Sequence, residues 1–327
     1  MSAVMIYNNG TQTTKCPSFG DKENRCNQLF QWILDNYDGI WHLCTPGDGQ
    51  AVIFKDKVDY SYMMTLIAIC SYEFKNLQII TFEVMSNHLH ILMCGSRDEV
   101  LAFHDMLKRK LRMYFTKLGN PVDLNRFGCA NVIPADSLDS FRNQIVYINR
   151  NNYVVDPNHT PFSYPFGANS YYFSPFAYLR TNGTFGDLFI ENRRKLVHSR
   201  NIDYPDSWLL FDGYISPLNY VRFDIGEGIF RDARHYFHKI SRDIESYKEV
   251  AALLGESVYY TDDEISTIIF RICKQNYNCE KPALLPSNAK LELARTLHFD
   301  YNADNKKIAR FLKIDKAIVD EHFPFRR

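Results

Sequence analysis

The sequence predicts an α+β fold: an antiparallel sheet with helices packed on one face, followed by a mainly helical C-terminal region. Two observations predict it. After a short N-terminal helix, the apolar pattern switches between strand and helix spacing in the order β, β, α, β, β, α, loop, α. This covers about the first 160 residues of a 327-residue chain, a length that suits one large domain or two modest ones. Beyond Asp156-Pro157 the texture changes. Residues 158–180 are rich in Pro, Ser, Tyr and Phe, and 187–300 read as mainly helical.

Taken in order, Cys26 to Tyr37 reads as an amphipathic helix. Ile40 to Thr45 (IWHLCT) reads as a strand stopped by Pro46 and Gly47, with Ala51 to Phe54 continuing it or pairing with it. Ser61 to Lys75 reads as a helix with Ser61 as its cap. Leu77 to Met85 and His88 to Cys94 read as strands joined by a Ser86-Asn87 turn. A long basic helix is expected over Arg97 to Leu118, a loop over 119–138, and a helix over Asp139 to Val154 capped by Asp139 or Ser140. Near the C-terminus, Ile308, Ala309, Leu312, Ile314, Ala317, Ile318 and Val319 are spaced as the small core of a helix-turn-helix, with its turn at Lys313 to Asp315.

Composition narrows the classes. Hydrophobic residues make up 46% and charged residues 23%, the balance of a globular chain. Net charge is zero, which argues against coating nucleic acid by bulk electrostatics and leaves local basic patches as the means of gripping it. The 21 Tyr and 24 Phe serve core packing first, or base stacking. The longest apolar run, Met63 to Cys70, is too short to span a bilayer. The start of the chain carries no basic-then-apolar leader, and the eight cysteines form no C-x-x-C pair. A cytoplasmic protein with reduced thiols, and no membrane partner, is expected.

The chemistry-bearing pattern begins at His88-Leu89-His90. Side chains alternate along a strand, so both imidazoles share one face, with Cα atoms about 7 Å apart. Two such rings can converge on one metal ion. On their own they read more readily as two surface histidines on a half-buried strand. Downstream, Tyr147 and Asn151 in YINRN lie one helical turn apart and share a face. An amide oxygen suits a hard divalent ion such as Mg²⁺ or Mn²⁺. Without further support, Tyr147 reads as a core aromatic.

VMSNHLHIL (Val84 to Leu92), YINRN (Tyr147 to Asn151) and IWHLCTPG (Ile40 to Gly47) together resemble the single-tyrosine HUH transposases, most closely the REP-associated tyrosine transposases. SYPFGANSYYF (Ser163 to Phe173) resembles an aromatic stretch of that subgroup. The resemblance spans residues 38 to about 173. It implies a ferredoxin-like HUH fold over 26–175; the rest of the chain divides on its own patterning into a helical accessory region over 176–286 and a helix-turn-helix-like DNA-binding candidate over 287–327, which is an accessory to the transposase core. It further implies a divalent metal held by His88, His90 and Asn151, with Tyr147 as nucleophile. The implied activity is cleavage and rejoining of single-stranded DNA, with a hairpin as the recognised feature, through a 5′-phosphotyrosine link. The family usually has Pro directly after the metal-binding Asn. Here Asn152 follows, so the helix is expected to run on to Val154 with Pro157 as its stop.

The stretch Lys108 to Lys117 carries five positive charges, on Lys108, Arg109, Lys110, Arg112 and Lys117. Such a stretch tracks a phosphate backbone or forms a solvated face, and the resemblance implies contact with a DNA hairpin. Arg193, Arg194 and Lys195 form a second, less specific cluster. Lys306, Lys307 and Arg310, with Lys313 and Lys316, mark the helix-turn-helix candidate, which suits duplex DNA or is a small bundle with a charged exterior. Three functions compete: a nuclease and strand transferase, a non-catalytic DNA-binding protein on the same fold, and a metal-binding protein with no nucleic-acid partner. Oligomeric state, monomer or dimer, is left open.

Overall fold

A computed structural model describes residues 19–47, 51–125, 127–128, 130–155, 162–242, 262–279 and 282–324. The first part runs α1 (Phe19–Asn36), β1 (Ile40–Cys44), α2 (Lys57–Glu73), β2 (Gln78–Val84), β3 (Leu89–Cys94), α3 (Arg97–Lys117), β4 (Asn131–Pro134) and α4 (Leu138–Val155). The four strands form one antiparallel sheet in the order β2-β3-β1-β4. The fold is therefore mixed α+β.

Local chemistry sets the helix ends. Helix α2 starts four residues before Ser61 because Asp56 caps it. Its carboxylate accepts from the Val58 and Asp59 amides at 2.8 and 3.1 Å, satisfying donors that have no partner within the helix. Ser96 caps α3 by accepting from the Glu99 amide, and its hydroxyl donates to the Glu99 carboxylate. Ser137, not Asp139 or Ser140, caps α4, accepting from the Ser140 amide at 3.1 Å. Helix α4 continues past Asn152 to Val155, as the missing proline allows.

Two expectations about the strands are corrected, and a third about the helices that cover them. Strand β4 lies inside the stretch expected to be a loop. It is a four-residue edge strand ending in Pro134 and paired only to β1, with no buried residue to mark a face. Residues 51–54 form no strand; the Ile53 and Phe54 amides both donate to the Ser86 carbonyl.

Helices cover both faces of the sheet rather than one. Thr81 on β2 donates to the Asn149 side chain of α4. Phe82, on the opposite face of β2, packs on Tyr220, whose hydroxyl donates to the Met64 carbonyl of α2. Every residue of β3 is buried in consequence.

The outer edge of β2 is also covered. The Val84 amide donates to the Phe166 carbonyl, the Ala168 amide to Phe82, and the Arg222 amide to Ile79. Tyr164 and Tyr172 donate their hydroxyls to the carbonyls of Val84 and Ile80. The aromatic stretch at 163–173 thus seals the sheet edge.

Residues 181–242 hold α5 (Ile190–Val197), the two-residue strands β5 (Leu210–Phe211) and β6 (Tyr214–Ile215), α6 (Phe223–Gly228) and α7 (Ala233–Arg242). Much of this stretch is irregular rather than helical. Aromatic packing holds it, including Tyr204 stacked on Trp208 at 5.2 Å. Val221, Ile225, Ile229, Phe230, Tyr236 and Ile240 join the same core as the sheet, so that core continues past residue 175.

A separate core organises α8 (Asp262–Tyr277), α9 (Ser287–Phe299), α10 (Asn305–Leu312) and α11 (Lys316–His322). Lys313 takes the left-handed conformation that ends α10, and Asp315 caps α11 by accepting from the Ala317 amide. Ile308, Leu312 and Val319 are buried there and Ala309 and Ile314 partly so, whereas Ala317 and Ile318 face solvent. Among the described residues no helix is long and apolar enough to cross a membrane. Cys26, Cys70, Cys94 and Cys273 are buried free thiols.

Candidate active site

Strand pairing decides which side chains meet. His90 lies opposite Cys44 on β1 and opposite Glu83 on β2, while His42 lies opposite Leu92. Directly opposed residues share a face, as do alternate residues of one strand. His42, Cys44, Glu83 and His90 therefore point to one side of the sheet, the side that α4 crosses.

His90 is wholly buried between two partners. Its Nε2 lies 2.7 Å from Nδ2 of Asn151, and its Nδ1 lies 3.1 Å from Nε2 of His42. The Tyr147 ring sits 5.6 Å from that of His90 and 6.0 Å from that of His42. One turn of α4 thus delivers Tyr147 and Asn151 to the same imidazole. His88 precedes β3 and is half-buried; its ring is 5.1 Å from that of His90. The Nδ1 of His88 meets Oδ1 of Asn87 at 2.7 Å, and Asn87 donates to the Gly47 carbonyl at 2.9 Å. A Cβ at Gly47 would stand 2.7 Å from His88 Nδ1, so any larger residue would push this ring from its place.

Both inner imidazoles are neutral near pH 7. Burial pushes the His90 pKa down to about 3. Burial, and then the neighbouring His90, hold His42 well below the usual histidine range. Neutral imidazoles keep the lone pairs that a metal ligand needs.

A second hydrogen-bonded cluster anchors α4. Asn149 accepts from Thr81 and donates to the Tyr236 hydroxyl at 2.8 Å; Tyr236 donates to Asn169, whose amide returns to the Asn149 carbonyl at 3.0 Å. This fixes the helix in rotation two residues from Tyr147 and two from Asn151.

His88, His90 and Asn151 form an uncharged donor set of two imidazoles and an amide. No group of three His, Cys, Asp or Glu side chains arranged for an ion occurs among the described residues. The set suits a divalent ion whose remaining ligands, and compensating charge, come from a phosphate. The observation behind this fit is that His90 Nε2 and the Asn151 amide converge at 2.7 Å; an ion would take the Nε2 lone pair in place of the amide N–H.

Comparison with family models, curated proteins and solved structures returned no match.

The expected DNA-binding residues do not converge on this site. Helix α3 packs on α2, on the far side of the sheet from α4. Arg109, Arg112 and Lys117 are exposed there, Lys110 is half-buried, and Lys108 pairs with Asp105 at 3.2 Å. In the C-terminal unit, Lys306 and Arg310 are exposed and Lys307 is half-buried.

The strand expected over Ile40 to Thr45 does not by itself assign His42 to the site. Only its parity within that strand is local; the pairing of β1 with β3 is what puts His42 on the face of His90.

Proposed function

We propose that this chain is a metal-dependent single-stranded DNA endonuclease and strand transferase of the single-tyrosine HUH type, with Tyr147 as nucleophile. The supporting observation is that His90, Asn151 and Tyr147 meet although 61 residues separate His90 from Asn151. The β1-α2-β2-β3-α3-β4 order, with sheet order β2-β3-β1-β4, supports a ferredoxin-like reading of the domain.

In this reading His88, His90 and Asn151 hold a Mg²⁺ or Mn²⁺ ion, which supplies Lewis-acid polarisation of the scissile phosphate. The Tyr147 oxygen attacks phosphorus, the P–O3′ bond breaks, and the DNA is left with a 3′-hydroxyl and a 5′-phosphotyrosine link. Attack of a 3′-hydroxyl on that link re-forms a phosphodiester and releases Tyr147, so rejoining needs no ATP. Asn149 and its partners hold the attacking helix in register. The exposed basic side of α3 and the C-terminal helices serve as contacts to a DNA hairpin.

The test is incubation of the full chain with labelled single-stranded hairpin DNA and Mn²⁺, followed by a denaturing gel. A covalent protein–DNA adduct is expected from wild type and not from Tyr147→Phe, which still binds the DNA. No adduct on any hairpin substrate sinks the reading. One observation favours the second reading, a non-catalytic DNA-binding protein: Tyr147 is only 2% exposed. Cleavage therefore requires this face to open to substrate, and a binder requires no such opening.

A further inference from the structure

The arrangement behind His90 is not used by the reaction just described. His42 is fully buried, its Nε2 faces the Nδ1 of His90, and its own Nδ1 has no hydrogen-bond partner among the described residues. Burying a polar nitrogen without a partner is destabilising. A phenylalanine at this position, packed between apolar neighbours on β1, avoids that cost. The interaction at the other nitrogen is what the histidine provides.

Each neutral imidazole carries one N–H and one lone pair, so the contacts on its two nitrogens are linked. With the Asn151 amide donating to His90 Nε2, that atom carries the lone pair and Nδ1 carries the proton. The His90 Nδ1–H then donates to His42 Nε2. The opposite assignment, with His42 donating, places a proton on His90 Nε2 and leaves no lone pair there for an ion. Histidines that bind metals generally donate their second N–H to a fixed acceptor, which sets the tautomer and orients the ring.

We propose that His42 is a positioning residue: it accepts the Nδ1–H of His90 and so keeps the proton off His90 Nε2, whose lone pair accepts from the Asn151 amide in the metal-free chain and would pass to a divalent ion once Asn151 turns its side-chain oxygen to that ion. The inference rests on the metal-dependent reading above. It assigns to β1 a role that the motif on β3 does not contain. The three rings of His42, His90 and Tyr147 then form one packed unit, with centroids 5.3 to 6.0 Å apart, so the same contact also fixes His90 relative to the nucleophile.

The experiment uses the full chain labelled with ¹⁵N-histidine and freed of metal. Imidazole nitrogens are read by long-range ¹H–¹⁵N correlation at pH 7.5, with His90 signals assigned by their loss in His90→Gln. Binding of Mn²⁺ alone is then titrated by electron paramagnetic resonance. Wild type is expected to show His90 protonated at Nδ1. His42→Gln keeps an acceptor near the Nε2 position and is expected to keep both that tautomer and the Mn²⁺ affinity. His42→Phe is expected to shift His90 toward the Nε2–H form and to weaken Mn²⁺ binding by about 10- to 100-fold. A wild-type His90 protonated at Nε2 overturns the proposal and needs no variant to fold. So does a His42→Phe variant that binds Mn²⁺ like wild type. An Nδ1-protonated His90 in a chain that binds no Mn²⁺ locates the failure in the metal reading instead, and the proposal falls with it.

Discussion

The Nε2 atom of His90 on β3 lies 2.7 Å from the side-chain nitrogen of Asn151 on α4, with both residues buried. This contact joins the central part of the sheet to the helix that carries Tyr147. It gives the site a geometry that individual substitutions can test.

Gly47 lies against the ring of His88, and a Cβ there would stand 2.7 Å from His88 Nδ1. Gly47→Ala is expected to displace that ring and break its contact with Asn87. Mn²⁺ affinity should drop about tenfold, as when a partner that orients a ligand is lost, while the melting temperature stays nearly unchanged. Unaltered Mn²⁺ binding removes His88 from the ligand set.

Tyr236 links Asn149 on α4 to Asn169 through one hydroxyl. Tyr236→Phe leaves both amides short of a partner in a buried setting. A loss of about 1–3 kcal/mol in urea unfolding is expected. DNA-cleaving activity should fall with the loosened helix before global unfolding begins. A variant as stable as wild type shows that the network does not anchor α4.

His235 governs part of the acid response. Burial, and then Arg231, Arg142 and Lys239, push its pKa down to about 4, against about 6.5 in an unfolded chain. Between those values the folded chain binds fewer protons than the unfolded one. The stabilisation from His235 is therefore complete above about pH 6.5 and is lost as pH falls toward 4. His235→Asn keeps an acceptor for the Arg231 amide and removes the titration. Its urea midpoint should decline less steeply than wild type across that window. Equal slopes contradict the assignment.

The C-terminal helices offer a separable test. Lys306 and Arg310 are exposed and Lys307 is half-buried, on or beside a core held by Ile308 and Leu312. Charge reversal of all three to Glu is expected to weaken binding of hairpin DNA and to flatten its salt dependence. Helix content should be kept. Unchanged affinity and salt slope exclude this face as a DNA contact.

How far the sequence could be read depended on whether a local pattern carried the information. Strand β3 and helix α4 were legible because the alternation in HLHILMC and the one-turn spacing of Tyr147 and Asn151 are local. The start of α2 was misplaced because Asp56, an extended residue before the apolar run, takes the capping role expected of Ser61. Strand β4 went unseen because four edge residues ending in Pro134 show no clean alternation. Packing on both faces was hidden because the second layer depends on Tyr220, far along the chain from β2. His42 shows the same limit: its parity is local, but its partner is 48 residues away. The basic stretch on α3 was legible as charge, though not its position on the far side of the sheet from Tyr147.

The most direct measurement is peptide mass spectrometry on the chain after reaction with single-stranded hairpin DNA and Mn²⁺ and digestion of the DNA with nuclease. With Tyr147 as the nucleophile, a nucleotide phosphate is expected on the peptide carrying Tyr147 and on no other tyrosine. Attachment at a different residue, or DNA cleaved with no attachment at all, contradicts it.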